Sequence, residues 1–331
     1  MLRFTFQRLV AGIVTLLAIS VIVFAATEIL PGDVATAVLG RDATPEAVGA
    51  IRARLDLDEP APNRYGKWLW GMIQGDPGDS LASGAAYAVY APTAGAEDEG
   101  VPVAQLIGPR LKNTAMLALP TILILVPLSL LLGTWSAVRR DSIADRLISN
   151  ANLILSSVPE FVTGTMLVLF FAVVWGVLPA VSIIDPSQPL YAQWTLLVLP
   201  ITTLLASMLA QTTRMVRAGV LQILDAEYVQ MARLKGLSER EVLRRYVLRN
   251  SLSATIQVYA ISAAWLFGGI VVVESVFQYP GIGLALVDAV NTRDIPVVQA
   301  ISVIIAVGYV AVNFLADLTT VFLTPKLRSS L

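Results

Sequence analysis

Six long, nearly uncharged apolar windows constrain the fold of this chain more than any other feature. Each window is at least 19 residues long, and the third contains a single charged residue, Glu160. A helix that crosses a bilayer needs about 20 mostly apolar residues, whereas buried core helices are usually shorter. The windows are residues 9–27, 113–138, 147–184, 186–213, 250–273 and 295–316. The sequence therefore predicts an all-α membrane protein with six transmembrane helices.

The composition excludes several kinds of enzyme. Hydrophobic residues make up 56% of the chain and charged residues only 14%, against about 25% charged residues in soluble proteins. The chain has neither cysteine nor histidine, which excludes thiol nucleophiles, thiolate metal sites and imidazole bases. The net charge of −1 gives no general attraction to nucleic acid. We therefore expect no catalytic residues and no metal site in this chain, and no nucleic-acid partner.

Basic residues predict the orientation in the membrane. Fifteen of the 23 Lys and Arg residues lie in one set of segments, whereas the short loops on the other side carry only Arg293. Because short cytoplasmic loops carry the excess of Lys and Arg, both termini are predicted to be cytoplasmic, in a multi-pass protein of the cell membrane. The first window is longer than a signal-peptide core, so we interpret it as a retained helix. The fifteen basic residues lie in residues 1–8, 139–146, 214–249 and 326–328.

A long external segment, residues 31–112, separates residues 1–30, which form the N-terminus and first helix, from the core, residues 113–331. Thr44 and Pro45 are typical of a helix start. An amphipathic stretch, residues 64–73, predicts a second helix, and residues 82–100 are typical of a flexible insertion. The segment is therefore predicted to be partly helical, and it is either a solvated cap or a docking surface for an extracytoplasmic partner.

A cytoplasmic loop, residues 214–250, carries a more specific pattern. Asp225 is predicted to cap a short helix, and Gly236 fits the left-handed position that follows a helix end. Ser238 and Glu241 match the capping box that starts a second helix. The pattern therefore predicts two helices joined by a rigid corner. Its basic residues fit an anchor at lipid headgroups, whereas the doubly capped corner favours insertion into a groove of a cytoplasmic partner.

This loop resembles the "EAA" loop of ABC importer permeases. Residues 227–240, EYVQMARLKGLSER, resemble the form EYVRTARAKGLSER of dipeptide and oligopeptide permeases, although Met231 replaces the first small residue of the usual Ala-Ala pair. The similarity covers about residues 6–325, except for the apparent insertion. Further blocks that resemble this family are residues 30–33, 43–81, 245–250, 274–283 and 293–299.

The resemblance implies a type I ABC importer permease fold and a permease subunit of an ATP-driven importer of dipeptides or oligopeptides. In such importers a second, homologous permease completes a heterodimer that encloses the pathway. Two cytoplasmic ATP-binding subunits hydrolyse ATP, and an extracytoplasmic substrate-binding protein delivers the peptide. This chain lacks the phosphate-binding pattern G-x-x-x-x-G-K-[ST]. ATP and Mg are therefore expected in the partner subunits, with no cofactor in this chain.

Two groups of candidate site residues follow. Three acidic residues lie in or near predicted spans, and a carboxylate at membrane depth should face a partner or a cavity. Of these, Glu274 suits the amino terminus of a peptide, since it ends an otherwise apolar helix. The acidic pathway candidates are Glu160, Glu274 and Asp317. The ATPase-coupling residues implied by the resemblance are Glu227, Tyr228, Met231, Ala232, Lys235, Gly236, Leu237, Ser238 and Glu241.

Three alternatives remain open at this point. The same acidic residues would suit a stand-alone, proton-coupled secondary transporter. A structural membrane scaffold would need no pathway, and an importer of this kind could carry a non-peptide solute such as a nickel chelate. The secondary transporter and the scaffold leave the capped cytoplasmic corner unexplained.

Overall fold

The computed structural model describes residues 2–28, 44–54, 56–81, 101–185, 187–188 and 190–323. The predicted insertion at 82–100 and the block at 30–33 lie outside the described residues. Within the described ranges the chain is helical apart from short connections and one isolated antiparallel bridge between Asp79 and Pro102. This arrangement confirms the predicted all-α class.

The long helices and their connecting helices follow one another along the chain. In chain order they are α1 (Leu2–Glu28), α2 (Pro45–Arg54), α3 (Ala61–Gln74), α4 (Val103–Val138), α5 (Ile143–Ser157), α6 (Glu160–Leu167), α7 (Trp194–Leu224), α8 (Glu227–Leu234), α9 (Glu239–Glu241), α10 (Arg249–Phe277), α11 (Ile282–Asn291) and α12 (Ile295–Leu323). A π-helical segment, Val168–Val174, continues α6, and another, Val242–Leu248, joins α9 to α10. A 3₁₀ turn, Leu190–Gln193, precedes α7.

Five of these helices, α1, α4, α7, α10 and α12, are long and apolar enough to cross a membrane. The third predicted window is instead a broken pair, since α5 and α6 meet at an angle of 102°. Val158 at the break is extended, because the proline that follows it disfavours a helical conformation and cannot donate a backbone hydrogen bond. The structure thus has six candidate spans if the broken pair counts as one.

One compact unit comprises residues 1–9, 115–279 and 311–331. Its first core cluster lies among α4, α7 and α10, and includes the fully buried Leu117, Leu204 and Phe277. Helices α4 and α7 approach closely at Gly133, where an added Cβ would lie 2.8 Å from Val216 Cγ1. A second, separate cluster packs beneath the loop at residues 214–250. The loop therefore rests on an apolar cluster of its own within this unit.

The other compact unit comprises residues 10–114 and 280–310. In it α2 begins at Pro45, as predicted, and the N–H of Val48 donates to the Thr44 carbonyl at 2.9 Å. Helix α3 begins three residues before the predicted Arg64, because proline is well tolerated in a first helical turn. The ring of Phe24 in α1 packs against Tyr65 and Trp68 of α3, with centroids 5.4 and 5.7 Å apart.

Two distant sequence blocks also meet in this second unit. Asp294 is fully buried and accepts hydrogen bonds from the Ser80 hydroxyl and, at 3.2 Å, from the Leu81 N–H. Asp294 directly precedes α12, whereas Ser80 and Leu81 end the described stretch 56–81 of the segment at residues 31–112. The contact therefore ties that segment to the start of the last helix.

Candidate functional site

The corner between α8 and α9 has the geometry that the sequence predicts. Gly236 adopts the left-handed conformation with φ of 79°. Its N–H donates to the Arg233 carbonyl at 2.9 Å, and the Leu237 N–H donates to the Ala232 carbonyl at 3.4 Å. These two bonds form a Schellman motif, which satisfies carbonyls that the helix end would otherwise leave unpaired.

The second helix begins immediately after this motif. Ser238 is extended, and its hydroxyl accepts a hydrogen bond from the Glu241 N–H at 3.3 Å. This bond confirms the predicted N-cap. The carboxylate of Glu241 lies 3.5 Å from Arg245 Nη1, one helical turn further on. The chain then continues through the π-helical segment into α10 without a break.

The predicted cap at Asp225 is wrong. Helix α8 begins at Glu227 with Ala226 at the N-cap, and no side chain caps it. Asp225 instead completes the last turn of α7, since its N–H donates to the Leu221 carbonyl at 3.1 Å. The connection between α7 and α8 is too short for Asp225 to leave the first helix and cap the second. Glu227 still lies in the first turn of α8, where a negative charge is favourable.

One face of α8 is buried in the cluster beneath the loop. Val229 is fully buried and Ala232 is 3% exposed. Ala232, one of the coupling residues implied by the resemblance, therefore packs inward, and its small side chain suits close packing. Leu237 also packs against this cluster. The other buried members are Ala137, Val216, Val220, Val242 and Val247.

The opposite face of α8 is apolar and exposed. Tyr228 is 44%, Met231 58% and Leu234 81% exposed. The three residues recur at every third position, so they lie along one side of the helix. Lys235 is also exposed beside them. A short helix that is anchored on one face and apolar on the other is suited to insertion into a groove.

An ion pair that the sequence analysis missed spans the corner. The Arg233 guanidinium donates to both carboxylate oxygens of Glu239, with Nε at 2.9 Å and Nη2 at 3.2 Å. Both side chains are solvent-accessible, so the pair adds geometric definition more than stability. The opposite charges of Arg233 and Glu239, on either side of the predicted corner, could have indicated this pair.

A second interaction that the sequence did not indicate links α7, which leads into the loop, to the helices beside it. Arg217 of α7 donates to both Asp145 oxygens, at 2.8 and 2.7 Å, and the Ser136 hydroxyl also binds this carboxylate. The Asp141 N–H donates to it at 3.0 Å. Asp145 thus joins the end of α4, the following turn and α7. Asp145 and Arg217 lie 72 positions apart, so no local sequence signal indicates this contact.

Basic side chains form an exposed patch beside the corner. They lie at spacings of four, one and four residues along α9, the π-helical segment and the start of α10. The side chains are Arg240, Arg244, Arg245 and Arg249. The patch suits an acidic protein surface or anionic lipid headgroups.

The three acidic candidates lie in three different surroundings within the first unit. Glu274 is fully buried, near the end of α10. Asp317 pairs with Arg8, with Oδ2 and Nη1 3.0 Å apart. Glu160 lies at the break between α5 and α6 and lines a cavity of about 510 Å³. Only Glu160 of the three lines one of the described cavities.

Comparison with known protein families gives two matches that together cover most of the chain. Residues 129–329 match the model of the binding-protein-dependent transport system inner membrane component. Residues 1–118 match the N-terminal region of the corresponding membrane component. The first match contains the whole loop at residues 214–250.

Curated relatives align over nearly their full length. The chain is 33% identical over 323 residues to a "probable peptide ABC transporter permease protein" of Sinorhizobium fredii, which covers 97% of this chain and 98% of the relative. It is 32% identical over 328 residues to a glutathione transport system permease protein of Pectobacterium atrosepticum, and 31% identical to one of Escherichia coli, with 99% of each chain covered. The chain belongs to the family of inner membrane components of binding-protein-dependent transport systems.

Proposed function

We propose that this chain is one of two permease subunits of an ATP-driven importer of peptides. The permease relatives named for peptide and glutathione transport support this class of cargo. A second, homologous permease would complete the pathway as a heterodimer. Two cytoplasmic subunits would bind ATP and Mg, and an extracytoplasmic protein would deliver the peptide. Both termini would then lie in the cytoplasm.

The observation that carries this proposal is the surface of α8. Tyr228, Met231 and Leu234 expose apolar area on a helix whose other face is anchored in the protein. A membrane carrier without a cytoplasmic partner has no use for such a surface, because exposed apolar area is costly in water. Insertion of this face into a groove of an ATP-binding subunit would remove it from water.

The supports of α8 make it suitable for transmitting motion. The Schellman motif at Gly236 and the bidentate Arg233–Glu239 pair hold α8 at a defined angle to α9. Val229 and Ala232 connect α8 to the apolar cluster, and Arg217 connects the preceding helix to Asp145. A displacement of α8 would therefore move neighbouring helices rather than bend a loop. In this proposal, closure of the ATP-binding subunits moves α8 and switches the direction in which the pathway opens.

Two alternatives lose support from the family membership. A stand-alone proton-coupled transporter and a structural scaffold both lack the partner that the exposed face of α8 requires. A non-peptide cargo such as a nickel chelate stays compatible with the same architecture. The acidic candidates Glu160, Glu274 and Asp317 are proposed to act on the pathway side of the protein, and Glu160 has the cavity that such a role needs.

Substitution of Leu234 tests the docking role. We expect Leu234→Asp to reduce the ATP hydrolysis that co-purifies with the tagged permease by about tenfold or more, since a charge in an apolar contact costs at least 1.4 kcal/mol. Ile73→Asp is the matched control, because Ile73 is a similarly exposed aliphatic residue of α3, on the predicted external side.

The measurement is ATP hydrolysis per permease in complexes purified from membranes, with the permease quantified separately. Equal hydrolysis by the Leu234→Asp complex and the wild type would overturn docking through α8. Loss of the permease itself from the membrane would be visible in the same quantification, and Met231→Ser then serves as a milder variant of the same face.

A further inference from the structure

A cavity beside Glu160 lies apart from the proposed coupling corner between α8 and α9. It lies at the break between α5 and α6 and faces α7 and α10, all within the first unit. Its volume of about 510 Å³ is in the usual range for small-molecule sites. The polar residues that line it are Ser156, Ser157, Glu160, Ser207, Gln211 and Ser262.

The carboxylate of Glu160 is incompletely satisfied. Its Oε2 atom is buried, and no residue that the structure describes donates a hydrogen bond to it. The close approach of α10 depends on Gly269, where an added Cβ would lie 2.8 Å from that oxygen. Leaving a buried acceptor unpaired costs free energy, and more so when the group is charged. The site therefore favours a ligand that donates hydrogen bonds.

The hydroxyl groups around the cavity point to the same ligand chemistry. Ser156 and Ser157 both donate to the Leu153 carbonyl, at 3.0 and 2.8 Å, and Ser207 donates to the Thr203 carbonyl at 3.3 Å. A hydroxyl has one proton, so these oxygens have only lone pairs left to offer a ligand. These three serine oxygens thus present acceptors, which suit a group with several donors and no acceptor.

A primary ammonium group fits this lining best. It carries three donors, no acceptor and a positive charge, which complements the carboxylate. Trp265 also lines the cavity, and the same added Cβ at Gly269 would lie 3.1 Å from its ring, so the indole borders the carboxylate. An aromatic face adds a cation–π contribution. A divalent cation fits less well, because Glu160 is the one carboxylate in the lining.

We propose that the cavity at the α5–α6 break binds the protonated amino terminus of a peptide, with Glu160 as its counter-charge. This assignment rests on the proposed peptide-importer function and adds a recognition site to it. The Met208 and Met215 side chains in the cavity wall would lie against the body of the peptide. They also supply a chemical means of detection, since photoactivated benzophenone reacts preferentially with methionine.

The test is photolabelling of the detergent-purified permease complex by trialanine that carries a C-terminal benzophenone amide. No binding protein is added, so its own preferences do not enter. We expect Met208 or Met215 to be labelled, and N-acetylation of the probe to reduce this labelling by about tenfold, because it removes a charged hydrogen bond. Peptide mass spectrometry identifies the labelled residue.

Variants separate recognition from structural effects. Glu160→Gln should lower labelling by the free-amine probe to the level of the N-acetyl probe, and Glu160→Asp should restore part of the difference. Gly269→Ala should act in the same direction, since its Cβ displaces the carboxylate without removing the charge. Thr165→Val is the control on α6, because this exposed hydroxyl only bonds the Phe161 carbonyl, at 2.7 Å.

Several results would contradict the assignment. Equal labelling by the free-amine and N-acetyl probes would mean that the cavity does not recognise the ammonium group. Labelling confined to other parts of the complex would mean that the peptide does not bind in this cavity. The peptide-importer function is judged separately, by uptake of radioactive trialanine into vesicles with the complete system. Labelling without uptake would reject the transport function, whereas uptake without amine-dependent labelling would reject the site.

Discussion

At the scale of single residues, the corner at Gly236 depends on a backbone conformation that few residues adopt. Its φ of 79° costs little for glycine and about 1–2 kcal/mol for most other residues. Its N–H is also part of the Schellman motif. Open space surrounds the position of a Cβ, so the constraint at this residue comes from the backbone rather than from packing.

We expect Gly236→Pro to abolish substrate-stimulated ATP hydrolysis while the protein remains in the membrane. Proline fixes φ near −65° and lacks the N–H that bonds Arg233. Gly236→Asn is the matched variant, since asparagine tolerates the left-handed conformation, and it should retain most of the stimulation. Hydrolysis by the reconstituted complex, with and without substrate, measures both variants. Full stimulation in the proline variant would contradict a rigid coupling corner.

Local patterns predicted Gly236 and Ser238 because helix caps are determined by a few neighbouring residues. The Asp145–Arg217 contact depends on tertiary packing, and nothing near either residue in the sequence indicates it. Asp225 was misassigned for a related reason. A capping residue fits both the end of one helix and the start of the next, and only the length of the connection decides between them.

At the scale of helices, the apolar windows predicted the long helices well but not their interruptions. Pro159 indicated a kink, yet the angle of 102° between α5 and α6 also reflects tertiary packing, since α5 packs on α7 whereas α6 packs on both α7 and α10. Most apolar residues of the π-helical segment at 242–248 likewise pack in the cluster beneath α8. Hydropathy reports length and polarity and is insensitive to such local geometry.

We expect Gly133→Ala to destabilise the contact between α4 and α7 by about 1–3 kcal/mol, because the added Cβ overpacks a close approach. It would lie 2.9 Å from the Thr213 carbonyl oxygen as well as against Val216. Gly108→Ala on the same helix is the control, since nothing lies within 4 Å of its Cβ. This control should be neutral or stabilising, by up to about 1 kcal/mol from helix propensity.

The midpoint of thermal unfolding in detergent compares these two alanine variants. A lower midpoint is expected for Gly133→Ala and an unchanged or higher one for Gly108→Ala. Equal midpoints would indicate that the helices accommodate the added Cβ at Gly133 without loss of stability, which would contradict a close approach of α4 and α7 there.

At the scale of the whole molecule, the sequence predicted the fold class and the family but not which distant segments contact each other. The fold class could be predicted from the long apolar windows, and the family from several sequence blocks that together cover most of the chain. The hydrogen bond between Ser80 and Asp294 could not be predicted, since the two residues lie 214 positions apart. The roles of the acidic pathway candidates stay predictions, and their surroundings could not be derived from the sequence, because an acidic residue in an apolar window does not reveal whether it faces a cavity, a cation or the protein interior.

The absence of native cysteine makes the proposed orientation directly testable. We expect Arg240→Cys to react with a membrane-impermeant maleimide only after the cells are opened. Asp58→Cys, in the exposed turn between α2 and α3, should react in intact spheroplasts. The cysteine-free parent protein gives the background. The reverse pattern of labelling would invert the topology and remove the coupling loop from the cytoplasm.

The helical path from Glu239 to Phe277 is unbroken, through α9, the π-helical segment and α10. At about 1.5 Å per residue it extends on the order of 50 Å. No break in the helical backbone along this path would absorb a displacement of its end at Glu239. The displacement would be transmitted to the far end, where Gln278 turns the backbone with φ of 51°, so the continuous helix would act as a lever between α8 and the residues that follow Phe277.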